Sequence, residues 1–335
     1  MTLTTSGRPS TRRNALVAGL LGAVVLTTGS TGARAQAYPT RPVQLVVTFA
    51  AGGGVDLTTR LVAEAAGEIL GQRLVIENRG GGATVVGSAA VARAEPDGYT
   101  LLAAPTTMVI NPALKATLPF DWERDFVPVV LVAKLPFVVV AGKDLPASTM
   151  KELEQLGRKG PDPLTFGSGG TGTVAHLAGE FFGQRSGAKV QHVPYRGEAP
   201  ALTDAIGGRI SVMFSTLASA SGHIEGGTMK ALAVTTKERA GLLPNVPTVA
   251  EQGYPGYDLS AWVALVAPKG TSPEVVATLN RAFNEALKRP GLRERLTKLG
   301  AEPAGGTPEE LARFMKSDAE LWAKVVKDAN VTVEQ

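Results

Sequence analysis

From Arg41 onward, short β-branched runs alternate with stretches whose apolar residues recur every three or four positions. Val43–Phe49 is one such run, and Ala50-Ala51-Gly52-Gly53-Gly54 ends it. Leu57, Leu61, Ala65 and Ile69 then repeat every four residues, which predicts a helix starting at Leu57. Arg73–Glu77 predicts a second strand, Asn78–Gly82 its turn, Gly87–Arg93 a helix of small residues and Thr100–Ala103 a third strand. A β-α-β-α-β order implies a largely parallel sheet with helices on both faces.

The alternation starts again at Pro136–Val140, a strand, followed by a helix at Thr149–Gly157 and a strand at Leu164–Phe166. That strand runs into Gly167-Ser168-Gly169-Gly170-Thr171-Gly172-Thr173, and the next helix has Val174, Leu177, Ala178, Phe181 and Phe182 as its apolar set. Val190–Val193, Ala199–Ile206 and Ile210–Phe214 continue the pattern, and Met229–Thr235 and Ala261–Ala267 read as two more buried strands. Helices are expected at Pro273–Lys288, Gly291–Leu299 and Pro308–Ala329. With 335 residues and no internal repeat, the simplest architecture is two α/β lobes facing each other across a cleft.

Charge changes the picture at one end only. Residues 1–35 contain Arg8, Arg12, Arg13 and Arg34 and no acid, and without those four the basic and acidic residues balance at 30 each. The formal charge of +4 therefore belongs to this segment, and no nucleic-acid footprint is expected in the rest. A positive start, the uncharged run Ala15–Leu26 and small residues ending at Ala33-Arg34-Ala35 make up a secretory signal, with cleavage expected after Ala35. Thr11–Leu16 resembles a twin-arginine export motif with Ala15 in place of the usual Phe, which leaves the Sec route open. The chain has no cysteine, which excludes a lipid-modified N-terminus, disulfides and thiolate metal sites.

Candidate chemistry concentrates at the two glycine-rich junctions. In Gly167–Thr173 a strand hands over to a helix through glycines and hydroxyls, leaving backbone amides and the positive end of the helix dipole for an anion. Ser168, Thr171 and Thr173 add hydroxyl donors, although a tight turn with a Ser/Thr cap uses the same residues. Phe49–Asp56 is the partner loop, whose amides could bind a second carboxylate; Asp56 either meets the ligand or caps the helix. Gly167, Gly169 and Gly172 also satisfy G-x-G-x-x-G, so a dinucleotide-binding oxidoreductase is the alternative reading. The acid that such a site needs about 20 residues later is absent from Gln191–Arg196. His176, His192 and His223 show no metal-ligand spacing and read as structural, and Ser168, His176 and Asp204 lack the G-x-S-x-G elbow of a hydrolase. No enzyme activity, metal or cofactor is expected, and a ligand-free docking protein is the third reading.

Several motifs in order resemble the Bug (TctC-type) family of tripartite tricarboxylate transport receptors, from about Tyr38 to Ala329. They are Phe49-Ala50-Ala51-Gly52-Gly53 with Asp56, Ile76-Glu77-Asn78-Arg79, Pro96-Asp97-Gly98-Tyr99-Thr100-Leu101, Gly167–Gly172 and His192-Val193-Pro194-Tyr195-Arg196-Gly197, then Leu243–Thr248 and Trp262 before Ala267-Pro268. The resemblance implies a type II-like periplasmic-binding-protein fold, each lobe a mostly parallel sheet flanked by helices, closing on its ligand by hinge motion. Lobe 1 is then discontinuous, 36–140 plus 265–335, and lobe 2 is 141–264. The implied function is capture of a small mono-, di- or tricarboxylate or aromatic acid by a periplasmic monomer that serves transporter membrane subunits or a sensor. The implied ligand contacts are Phe49, Ala51, Gly52, Asp56, Thr106, Ser168, Gly169, Gly170, Thr171, Gly172, Thr173 and Ser215. The first loop departs from the family in carrying Ala50-Ala51 and a third glycine where many relatives have prolines.

Overall fold

The computed structural model describes residues 38–114 and 117–328; the expected export signal and its cleavage site lie outside the described residues, as does Ala329. The first half runs β1 (Val43–Val47), α1 (Gly54–Leu70), β2 (Leu74–Asn78), α2 (Val85–Ala92), β3 (Thr100–Pro105) and α3 (Thr107–Leu114). Then come β4 (Phe126–Gly142), α4 (Met150–Lys159), β5 (Leu164–Ser168), α5 (Val174–Ser186), β6 (Val190–Pro194), α6 (Glu198–Ile206), β7 (Val212–Thr216), α7 (Leu217–Glu225) and β8 (Met229–Val234). The chain continues through β9 (Ser260–Pro268), α8 (Pro273–Lys288), α9 (Pro290–Leu299), β10 (Glu302–Pro303) and α10 (Pro308–Asp328).

The strands form one curled sheet in the order β2-β1-β3-β9-β4-β7-β5-β6, with β8 and β10 also paired to β4. Each outer wing is parallel as expected: β2, β1 and β3 at one end, and β6, β5 and β7 at the other. The middle differs from the expectation of largely parallel pairing, because every pair made by β4 and β9 is antiparallel. Antiparallel neighbours need no helical crossover, so these strands can join the two wings directly. β4 does this over its length: Phe126–Pro136 pairs with β9, and Phe137–Ala141 pairs with β7. The described residues form one compact unit.

β3, β7 and β9 are buried along nearly their whole length, as strands covered on both faces must be. α8 shows how the helices cover them. Ser272 caps it through the Val275 amide, Pro273 starts it, and Val276, Leu279, Phe283, Ala286 and Leu287 form the buried stripe, which packs on α1 and β4. Each fully buried Leu or Phe contributes roughly 2 kcal/mol. The last helix is tied down through Trp262 of β9, whose Nε1–H donates to Asp318 Oδ2 at 2.7 Å. Among the described residues no helix is long and apolar enough to cross a membrane.

Candidate functional site

Three strand-to-helix junctions, β1–α1, β5–α5 and β7–α7, meet at a narrow cleft. Phe49, Val55, Pro105, Phe137, Val174 and Ala261 give it apolar walls. Its polar lining comes from Gly53, Gly54, Thr106, Thr107, Gly169, Thr173 and Thr216, together with Glu198. Among the described residues Glu198 is the one ionisable group on this wall.

The first junction turns its donors inward. The Ala50 amide donates to Arg196 O at 3.0 Å, that of Gly52 to Asp56 Oδ2 at 2.9 Å and that of Gly54 to Glu198 Oε2 at 3.4 Å. Of the amides expected to serve a second ligand carboxylate, those of Gly52 and Gly54 are thus occupied by carboxylates of the chain itself. Asp56 lies one turn inside α1, which starts at Gly54 rather than Leu57, and Gly53 is the N-cap residue. The Asp56 carboxylate is buried and also accepts from Arg60 Nε at 2.9 Å and Asn78 Nδ2 at 2.8 Å. Burial pushes its pKa up, but the bonds from Arg60, the Gly52 amide and Asn78 outweigh that and hold it below the usual carboxylate value. Asp56 is not the cap residue of α1; its bonds fasten the loop to α1 and β2. Ala51 and Gly52 themselves are exposed at the rim.

Glu198 opens α6 and joins the first junction to the third. Its Oε1 accepts the Thr216 amide at 3.1 Å, and its Oε2 accepts the hydroxyls of Thr216, at 2.6 Å, and Ser219. Thr216 also caps α7 through the Ser219 amide. The half-buried carboxylate therefore sits where the N-termini of α1 and α7 converge, a position the two helix dipoles favour for an anion. Close backbone approach makes this possible: a Cβ on Gly54 would lie 2.2 Å from Thr216 Oγ1. Gly197, at φ 148°, likewise leaves room for the Ala50 amide, which a Cβ would meet at 3.0 Å.

The second junction is held by neutral groups. Ser168 is buried, with its Oγ 2.6 Å from His192 Nε2 and accepting the Gly170 amide at 3.1 Å. The Gly172 amide donates to His176 Nδ1 at 3.1 Å, and the two imidazoles stack with centroids 4.0 Å apart. Burial lowers the pKa of His176 to about 4; burial and the neighbouring His176 lower that of His192 to about 3. Both rings are neutral at pH 7. Thr173 caps α5 through the His176 amide and donates its hydroxyl to Gly170 O at 2.8 Å. Val174 and Ala175 line the cleft at the start of α5, where first-turn amides have no intrahelical carbonyl to reach.

Of the residues expected at the site, Phe49, Thr106, Gly169 and Thr173 line the cleft. Ser168, Gly170 and Gly172 lie behind it as the frame of the loop, and Thr171 is half-buried beside them. Thr106 is also spent on structure, since its Oγ1 accepts the Trp262 amide at 2.7 Å and locks the end of β3 to β9. Ser215 is buried and donates to Thr216 O at 3.2 Å. Sequence reasoning missed Thr216, Phe137 and Glu198. The available signal was position: Glu198 directly follows the His192–Gly197 motif, and Thr216 ends a third strand before a helix.

The family model of the tripartite tricarboxylate transporter family receptor (TctC) matches residues 58–331. A UPF0065 protein of Pseudomonas sp. strain P51, from the tcbD-tcbE intergenic region, is 39% identical over 325 residues, covering 96% of each chain. Among solved structures, R. palustris Rpa4515 with adipate is 35% identical at TM-score 0.86, over 88% of this chain and 99% of that one. The periplasmic binding protein BugD is 35% identical at TM-score 0.85, over 89% of this chain and all of its own.

Proposed function

The chain belongs to the tripartite tricarboxylate transporter receptor family, and from that premise we propose that it is a periplasmic receptor for a small carboxylate, with no catalytic role of its own. The observation that carries this reading is the cleft at the N-terminus of α5, where the Val174 and Ala175 amides and Gly169 meet apolar walls. Such an end can hold a carboxylate without any cationic side chain, through oriented amides and the helix dipole. The adipate bound by a neighbour with the same fold supports the ligand class. In this reading β4 and β9 are the crossings between two lobes whose boundaries fall near 140 and 265, and closure about them traps the ligand. Delivery is to the membrane subunits of a transporter or to a sensor, from a monomer.

The test is thermal unfolding of the purified protein against a panel of carboxylates, amino acids, sugars and NAD. A ligand at about 100 times its Kd adds about 2.7 kcal/mol. The expected outcome is a clear rise in Tm with carboxylates alone. A response to NAD and to no carboxylate would favour the dinucleotide reading instead.

A further inference from the structure

We infer that Glu198 is the specificity-determining residue of this cleft, and that it restricts the ligand to monocarboxylates with an apolar body. The inference rests on the receptor reading above and deepens it. A ligand with two carboxylates needs two sets of donors, one at each end of the cleft. At the α5 end the Val174 and Ala175 amides remain for the ligand. At the β1–α1 and β7–α7 junctions donors are already in use: the Gly54 and Thr216 amides and the hydroxyls of Thr216 and Ser219 all go to Glu198. Four donors on one carboxylate also leave it little capacity to accept from a ligand ammonium or hydroxyl. Glu198 thus stands where a second ligand carboxylate would sit and carries the same charge.

The surroundings do nothing to offset that charge. Among the described residues no Lys, Arg or His lines the cleft, so a second anionic group would meet the like charge of Glu198 in a narrow, largely apolar space. The apolar walls of the cleft are Phe49, Val55, Pro105, Phe137 and Ala261, which suit a hydrocarbon chain or an aromatic ring. Discrimination then comes from repulsion of the wrong ligand as much as from attraction of the right one.

The experiment is calorimetric titration of the purified protein and of Glu198→Gln with two matched pairs, hexanoate against adipate and benzoate against terephthalate. The protein is expected to bind the monocarboxylate of at least one pair at least about tenfold more tightly than its dicarboxylate. Glu198→Gln should narrow that ratio by about tenfold, mainly by gaining affinity for the dicarboxylate. If the protein prefers the dicarboxylates, or if the ratio is unchanged in a folded Glu198→Gln, the inference is overturned while the receptor reading stands. If neither protein binds any of the four, nor any carboxylate of the thermal panel, both fall. Should Glu198→Gln not fold, the ratio measured on the unaltered protein decides alone.

Discussion

The junctions β1–α1 and β5–α5 look alike as sequence, each a strand that ends in glycines before a helix, yet they hold their loops by opposite means. At β1–α1 the Gly52 and Gly54 amides are committed to two carboxylates of the chain, Asp56 and Glu198, and the Ala50 amide to the Arg196 carbonyl. At β5–α5 the loop is braced from behind by neutral groups, Ser168, His176 and His192, and its helix end opens on the cleft with no side-chain carboxylate bonded to it. The first junction carries its own anions; the second is organised to accept one. A glycine-rich turn before a helix therefore states that amides are exposed to something, and the neighbouring acids decide whether that is the chain or a ligand.

The largest separation of the two junctions should come from acid. His176 and His192 are neutral when folded, with pKa values of about 4 and about 3, against about 6.5 in the unfolded chain. Below pH 6.5 the unfolded state binds more protons than the folded one, so stability falls as pH drops from about 6.5 toward 4. The loss from His176 alone is on the order of 3 kcal/mol at pH 4. Denaturant unfolding at pH 7, 5.5 and 4 measures it, and His176→Gln should flatten the slope across that window. Asp56 contributes in the same direction but later, since a lowered carboxyl pKa is felt only as pH falls through the carboxylate range.

A smaller effect should mark the first junction. Asp56→Ala removes the acceptor shared by the Gly52 amide, Arg60 and Asn78 and should cost about 2 kcal/mol of unfolding free energy at pH 7. The half-exposed Arg60 recovers solvation, which keeps the cost below that of breaking a fully buried pair. Carboxylate affinity should change by less than about threefold, because the proposed ligand donors lie at α5. A loss of binding far larger than the loss of stability would return Asp56 to the ligand.

Much of this fold was legible because its signals are local. The helix over Pro273–Lys288 has Ser272 as its cap, Pro273 at its start and a regular apolar stripe, and it forms with those bounds. Strand β4 was read only from Pro136, although it starts at Phe126. Pro128 and Pro136 argue against a strand in sequence, and in the sheet Pro128 falls beside a register shift. α7 was not anticipated, since Leu217–Glu225 is short and made largely of small residues. The loop Gly167–Thr173 was legible as a junction, but the pairing of Ser168 with His192 and the stacking of His192 on His176 were not. Those contacts depend on β5 and β6 lying side by side. The contacts of Glu198 are hidden for the same reason: it meets Gly54 across 144 positions and Thr216 across 18, and no periodicity records such proximity.

The central claim is that the ligand carboxylate is received at α5 and not at α1. Backbone amide NMR of the purified protein during titration with the tightest carboxylate tests it most directly. Large shifts are expected at Gly169, Val174 and Ala175, with Gly52 and Gly54 still bound to Asp56 and Glu198 and nearly unmoved. Large shifts at Gly52 and Gly54 with a silent α5 terminus would contradict it.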